Sequence, residues 1–122
     1  MTWVLGEGER GDGPAMHIVD VATRTRFEDE KMQKIGLLET DRMFFDLYCL
    51  KPGQAQKVHR HTDSDKVYYV LSGRAAVRIG EEESELRPGQ AVLAPSGFDH
   101  GVANRAQEPL RLLVFMAPKP PH

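Results

Sequence analysis

The feature that most constrains this 122-residue chain is its punctuation. Breaks fall at Pro52-Gly53, Ser72-Gly73, Gly80-Glu81, Pro88-Gly89, Pro95-Ser96-Gly97 and Gln107-Glu108-Pro109. Proline fixes its own φ and removes a backbone donor, while glycine supplies positive-φ turns, so no long helix can run through such spacing. What lies between the breaks is short and rich in β-branched, aromatic and aliphatic residues. Ten strands are predicted: His17–Val21, Met32–Leu38, Met43–Leu50, Lys57–His61, Val67–Leu71, Ala75–Ile79, Ser84–Leu86, Ala91–Ala94, Gly101–Asn104 and Leu110–Ala117. Only Glu28–Lys34 reads as a helical turn. Many short strands at nearly even spacing imply an all-β fold, an antiparallel sandwich or barrel.

Length allows one core and no second domain. The glycine-rich residues 1–14 are expected to be mobile, residues 15–118 to form the domain, and residues 119–122 to form a loose tail. Lys plus Arg total 16 against 18 for Asp plus Glu, a net charge of −2 with no basic stripe. That balance argues against nucleic acid or an anionic membrane as partner. Apolar runs such as 112–117 are strand-length and too short to span a bilayer. The first residues lack a basic start and an apolar core, so they do not read as a signal peptide. The single cysteine, Cys49, leaves no internal disulfide and reads as a small apolar filler. Together these features point to a cytoplasmic protein.

The chemistry concentrates in VHRHTDSDKVYYVLSG, residues 58–73. Side chains at i and i+2 of a strand share a face, so His59 and His61 present two imidazoles side by side while Arg60 points away. Imidazole ligates Fe, Zn, Mn, Ni and Cu, though His-x-His alone equally describes two solvent-facing histidines. Context narrows the choice. From Gly53 the chain reads G-x5-H-x-H, with Gly73 twelve residues after His61. A second run reads Gly89-x5-Pro95-x-Gly97-x2-His100-x3-Asn104. These paired runs resemble the two signature motifs of the cupin superfamily, and their short separation is similar to that of compact bacterial cupins. The resemblance covers about residues 43–116. It implies a jelly-roll barrel, or double-stranded β-helix, with His100 facing the first pair. The implied cofactor is a divalent transition metal. It also implies a small-molecule ligand or substrate, and a homodimer formed through sheet faces or an exchanged N-terminal strand.

One position departs from the pattern. The resemblance implies a glutamate ligand five residues after the second histidine, and Lys66 stands there. Three readings compete: a metal held by His59, His61 and His100 alone; Asp65 as a replacement ligand, which requires a local bulge to turn it to the same face; or a metal-free pocket in which Lys66 and the histidines hold a small anion. An ammonium beside a divalent cation is repelled, and burial also disfavours its charge. The cheapest arrangement therefore swings Lys66 outward to pair with Asp63 or Asp65. A lysine kept inside and neutral would be a base or a Schiff-base nucleophile, so Lys66 is a candidate catalytic residue. Tyr68, which shares its face, is another. Phe44, Phe45, Tyr48, Tyr69, Phe98 and Phe115 offer aromatic walls, with Tyr68 and Phe115 expected to line the pocket. Function divides between a metal-dependent dioxygenase, isomerase or lyase and a non-catalytic binding or sensing barrel.

Overall fold

The computed structural model describes residues 16–120. A short helix α1 (Val21–Arg24) precedes nine strands: β1 (Gln33–Glu39), β2 (Phe44–Leu50), β3 (Ala55–Arg60), β4 (Asp65–Ser72), β5 (Ala75–Ile79), β6 (Glu82–Leu86), β7 (Ala91–Ala94), β8 (Asp99–Ala103) and β9 (Leu110–Ala117). All pairings are antiparallel. The strands form a five-stranded sheet, β1-β2-β9-β4-β7, and a four-stranded sheet, β3-β8-β5-β6. This is the expected all-β jelly roll. No helix among the described residues is long and apolar enough to cross a membrane.

The inner faces meet in a core of Tyr48, Leu50, Tyr68, Val70, Ala75, Val77, Leu86, Val102, Leu110, Leu112 and Val114. Burying each large aliphatic side chain contributes about 1.5–3 kcal/mol, so this layer dominates stability. A second cluster, Ile35, Leu37, Leu47 and Cys49, lies on the outer face of β1 and β2. Val19, Val21 and Phe27 pack over it. Strand β2 is therefore covered on both faces at its end, from Leu47 to Leu50. Cys49 is fully buried in that layer, and burial pushes its thiol pKa up, as suits a filler.

Two local expectations fail. Residues 17–21 form no strand: Asp20 caps α1, its Oδ1 accepting from the Ala22 N–H at 3.1 Å. An aspartate that satisfies an orphan helix donor outweighs the β propensity of the valines beside it. Glu28–Lys34 forms bends and the start of β1 instead of a helical turn. Its backbone carbonyls are engaged elsewhere, Glu28 O accepting from Gln54 Nε2 at 2.7 Å, while Asp29 pairs with Lys51. Lys119, placed by the sequence at the start of the tail, is tied to the barrel. Lys119 donates its backbone N–H to Arg42 O at 2.8 Å and its ammonium to Glu39 at 2.9 Å. The expectations for residues 1–14 and for His122 lie outside the described residues.

Candidate metal centre

Strand β3 carries an irregularity that builds the site. Gln56 pairs with Val102, yet His59 pairs with His100, so β3 has one residue more than β8 between those pairs. Plain alternation from Gln56, which is buried, would turn His59 outward. The bulge resets the phase, and both Gln56 and the histidine pair face the interior. Gly101 on β8 makes room for it. A Cβ there would meet Val58 Cγ2 at 3.0 Å and the Gln56 carbonyl oxygen at 3.2 Å.

The histidines converge as the motif spacing implies. Ring centroids lie 4.9 Å apart for His59–His61, 4.3 Å for His59–His100 and 5.4 Å for His61–His100. Their ligand atoms all fall within 4.8 Å of one another. His59 Nδ1 lies 2.8 Å from the Lys57 carbonyl and His100 Nδ1 lies 3.3 Å from that of Phe98. A carbonyl only accepts, so each Nδ1 carries the proton and each Nε2 keeps the lone pair that a metal needs. The turn before His100 is tied to the first motif through Gly97, whose N–H reaches the His61 carbonyl at 2.7 Å. Gly97 adopts φ 85° to do so, a conformation that favours glycine.

Electrostatics holds the imidazoles neutral. Burial, then the field of Lys66, pushes His100 down to about 4. Burial also lowers His59 and His61. Neutral imidazole is the form that ligates. Among the buried side-chain polar atoms described, only His100 Nε2 lacks a hydrogen-bond partner. An orphaned buried nitrogen facing two other imidazoles is a donor set that fits a metal ion.

Lys66 overturns the expectation that it swings outward to Asp63 or Asp65. It is 1 % exposed and shares the inner face of β4 with Tyr68 and Val70. Its Nζ donates to Gln56 Oε1 at 3.3 Å and stands 5.3 Å and 5.1 Å from the ring centroids of Tyr48 and Tyr68. Two ring faces partly replace the water that the ammonium has lost. Gln56 joins the group, accepting from Tyr68 OH at 3.0 Å and donating Nε2 to Tyr48 OH at 3.3 Å. Burial, then Lys34, brings Lys66 down to about 7, against a weaker opposing pull from Asp46. Burial raises both phenols, Tyr48 to about 12, so they act as neutral hydroxyls.

Asp65 does not join the cluster. Its exposed carboxylate accepts from the Ser96 N–H at 2.9 Å, and β4 pairs with β9 without a shift from Asp65 to Val70. The bulge it would need is absent. Phe115 also faces away from the pocket, at 38 % exposure, because alternation places Leu112, Val114 and Met116 inside. Tyr69 and Phe98 are likewise exposed, and Phe45 packs in the outer cluster. Asn104 is structural: its Nδ2 donates to the Leu50 and Glu108 carbonyls at 3.0 and 2.8 Å. Sequence reasoning missed Gln56, Gly101, Lys34 and Asp46. Asp46 was legible by alternation with Tyr48, whereas the bulge hid Gln56. A groove of about 550 Å³ lies over Ala55, Ala76, Gly101 and Ala103, and none of the three histidines lines it.

Comparison with known proteins agrees with this fold. The Streptomyces coelicolor protein SCO3923 is 36% identical over 84 residues, 69% of this chain and 78% of that one. The tetracenomycin polyketide synthase protein TcmJ of Streptomyces glaucescens is 33% identical over 72 residues, 59% of this chain; the match spans 48% of TcmJ. The crystal structure of TT1209 from Thermus thermophilus superposes with a TM-score of 0.84 at 53% identity, covering 86% of this chain and all of that one. The model of the cupin domain matches residues 46–116, a span that contains both histidine motifs. The chain belongs to the cupin family.

Proposed function

We propose that His59, His61 and His100 hold a divalent transition metal ion, Fe, Zn, Mn, Ni or Cu, and that the barrel uses it on a small organic molecule. The observation that carries this reading is the orphaned Nε2 of His100, buried beside two imidazoles whose donor atoms lie within 4.8 Å. Three protein ligands leave coordination positions open for water or substrate. Bound there, the ion supplies a Lewis acid or an O₂ site, consistent with an isomerase, lyase or dioxygenase. The likeness to TcmJ, a tetracenomycin polyketide synthase protein, supports an organic molecule of polyketide type as the ligand to try first.

The chain's own groups divide the remaining work. The Nδ1 hydrogen bonds of His59 and His100 fix their ring orientation. Tyr68 and Tyr48 give neutral hydroxyls, and Gln56 joins them to Lys66. A substrate that reaches the inner face of β4 meets Lys66 and Tyr68 there, with Gln56 and Tyr48 as their polar neighbours. This makes them the candidate catalytic residues.

A second reading, a non-catalytic ligand-binding barrel, draws its support from the same buried Lys66, whose charge opposes that of a metal. Elemental analysis of protein purified without chelator separates the two. One equivalent of metal is expected, and His100→Ala is expected to weaken its binding by more than about 100-fold. Metal-free wild-type protein that still binds small molecules would establish the second reading instead. We further read the chain as a cytoplasmic homodimer. The outward Tyr69, Leu93 and Phe115 of the five-stranded sheet support such a contact. Sedimentation of the purified chain at monomer mass would remove that part.

A further inference from the structure

The barrel interior contains a buried lysine whose hydrogen-bond donors the protein leaves largely unsatisfied. Lys66 Nζ has three donors, and the described residues give it one acceptor, Gln56 Oε1, at a long 3.3 Å. That oxygen already accepts from Tyr68 OH at 3.0 Å. Among the described residues no carboxylate bonds to the Lys66 head; Asp46, half-buried on the Tyr48 face of β2, acts on it only through its field. A second lysine, Lys34, stands 5.5 Å from the same Tyr48 ring. His100, with its unpartnered Nε2, packs against the same Tyr68 with 6.3 Å between ring centroids.

Beside a metal held by three neutral imidazoles, the buried Lys66 head keeps its proton only where a counter-charge lies close, because the dielectric constant there is low. An anion between them supplies that counter-charge and the acceptors that Lys66 lacks. Water supplies the acceptors without the charge. We propose that Lys66 is an anchoring residue for a second oxygen of an anionic ligand, and that the barrel takes a small organic carboxylate with another oxygen on the neighbouring carbon. This inference rests on the reading of the three histidines as a metal centre. Tyr48 and Tyr68 hold the lysine stem in place, and Gln56 orients its head. The carboxylate that other members of the fold would place at residue 66 has moved, in this chain, from protein to ligand.

Oxalate is the probe, because it carries two adjacent carboxylates, and oxamide is its neutral counterpart. Titration calorimetry of Co(II)-loaded wild-type protein is expected to show oxalate binding at least tenfold tighter than in Lys66→Met and Lys66→Gln, with one equivalent of Co(II) bound in all three. Oxamide is expected not to bind the wild type. Oxalate affinity within twofold in the folded variants overturns the proposal, and so does oxamide binding as tightly as oxalate, a result that needs no variant. Wild-type protein that fails to retain Co(II) removes the metal reading instead. In that event oxalate is titrated against the metal-free protein: binding that depends on Lys66 upholds the anchoring role, and absence of binding overturns it.

Discussion

Strands β3 and β4 face each other across the barrel and treat the alternation rule in opposite ways. Strand β3 breaks it with one extra residue, which lets Gln56 and His59, three apart in sequence, point to the same interior. Strand β4 keeps it from Asp65 to Val70, so Asp65 is held outside and Lys66 inside. The bulge makes the histidine site. Its absence from β4 forces a lysine into the space opposite. A side chain's chemistry therefore has less say in where it goes than the register of its strand, because a slip would turn the apolar residues Tyr68 and Val70 into solvent along with Lys66.

The largest test of that forcing is the pH dependence of stability. Lys66 titrates at about 7 in the fold and near 10.5 when unfolded. Between those values the unfolded chain binds more protons, so raising the pH stabilises the fold; the gain is complete above 10.5 and lost as the pH falls to 7. The limiting slope is about 1.4 kcal/mol per pH unit. Lys34, Asp46 and His100 also act on this region, while Cys49 and the buried tyrosines titrate at the alkaline end. Subtracting Lys66→Met isolates the lysine. For metal-free protein, urea unfolding at pH 7 and 10 should show Lys66→Met ahead by about 3 kcal/mol more at the lower pH. A pH-independent difference would mean that the ammonium reaches solvent and that β4 does not hold it.

The converse test removes the room for the β3 bulge. In Gly101→Val the new Cβ meets Val58 and the Gln56 backbone at 3.0–3.2 Å, and the γ carbons extend the clash. Overpacking of this kind costs about 1–3 kcal/mol. Because His59 follows the bulge directly, metal affinity should also fall by about tenfold, comparable to a lost supporting contact. Denaturant unfolding and metal titration of the same preparation measure both. Lost stability with unchanged metal affinity would show that the histidines are positioned independently of the bulge.

These contrasts also explain how far the sequence could be read. Turn residues placed nine of the ten predicted strands, because Pro-Gly and Gly turns are local and their φ demands are met at Gly53 and Gly89, with φ 86° and 87°. His59 and His61 were legible as an i, i+2 pair, and His100 only through the resemblance of the two motifs to a known family. Gln56 was not, since counting by twos from His59 turns it outward and the bulge is a tertiary event written partly in Gly101, 45 residues away in the chain. Lys66 was misplaced for an energetic reason. The usual solvation of ammonium groups argued for an outward stem, but the burial of Tyr68, Val70 and their neighbours outweighs the desolvation of one cation whose stem and ring contacts offset part of its cost.

The smallest expected effect falls on the residue the bulge-free strand excludes. Asp65 lies one position from Lys66 and carries the carboxylate that a metal would favour, yet its Oδ1 accepts from the Ser96 N–H at the rim. Asp65→Ala removes that exposed hydrogen bond and should cost about 0.5–1 kcal/mol. Metal affinity should stay within twofold of wild type, because β4 runs unshifted past this position and no rotamer of an outward residue crosses the sheet. Metal titration of the folded variant checks this. A tenfold loss would require Asp65 to reach the histidines, and hence a bulge at the start of β4 that would displace Lys66 from Tyr48 and Tyr68 in the same movement. The two neighbours are alternatives for one inward place, and the unshifted pairing of Asp65 with Ala117 and of Lys66 with Met116 gives that place to the lysine.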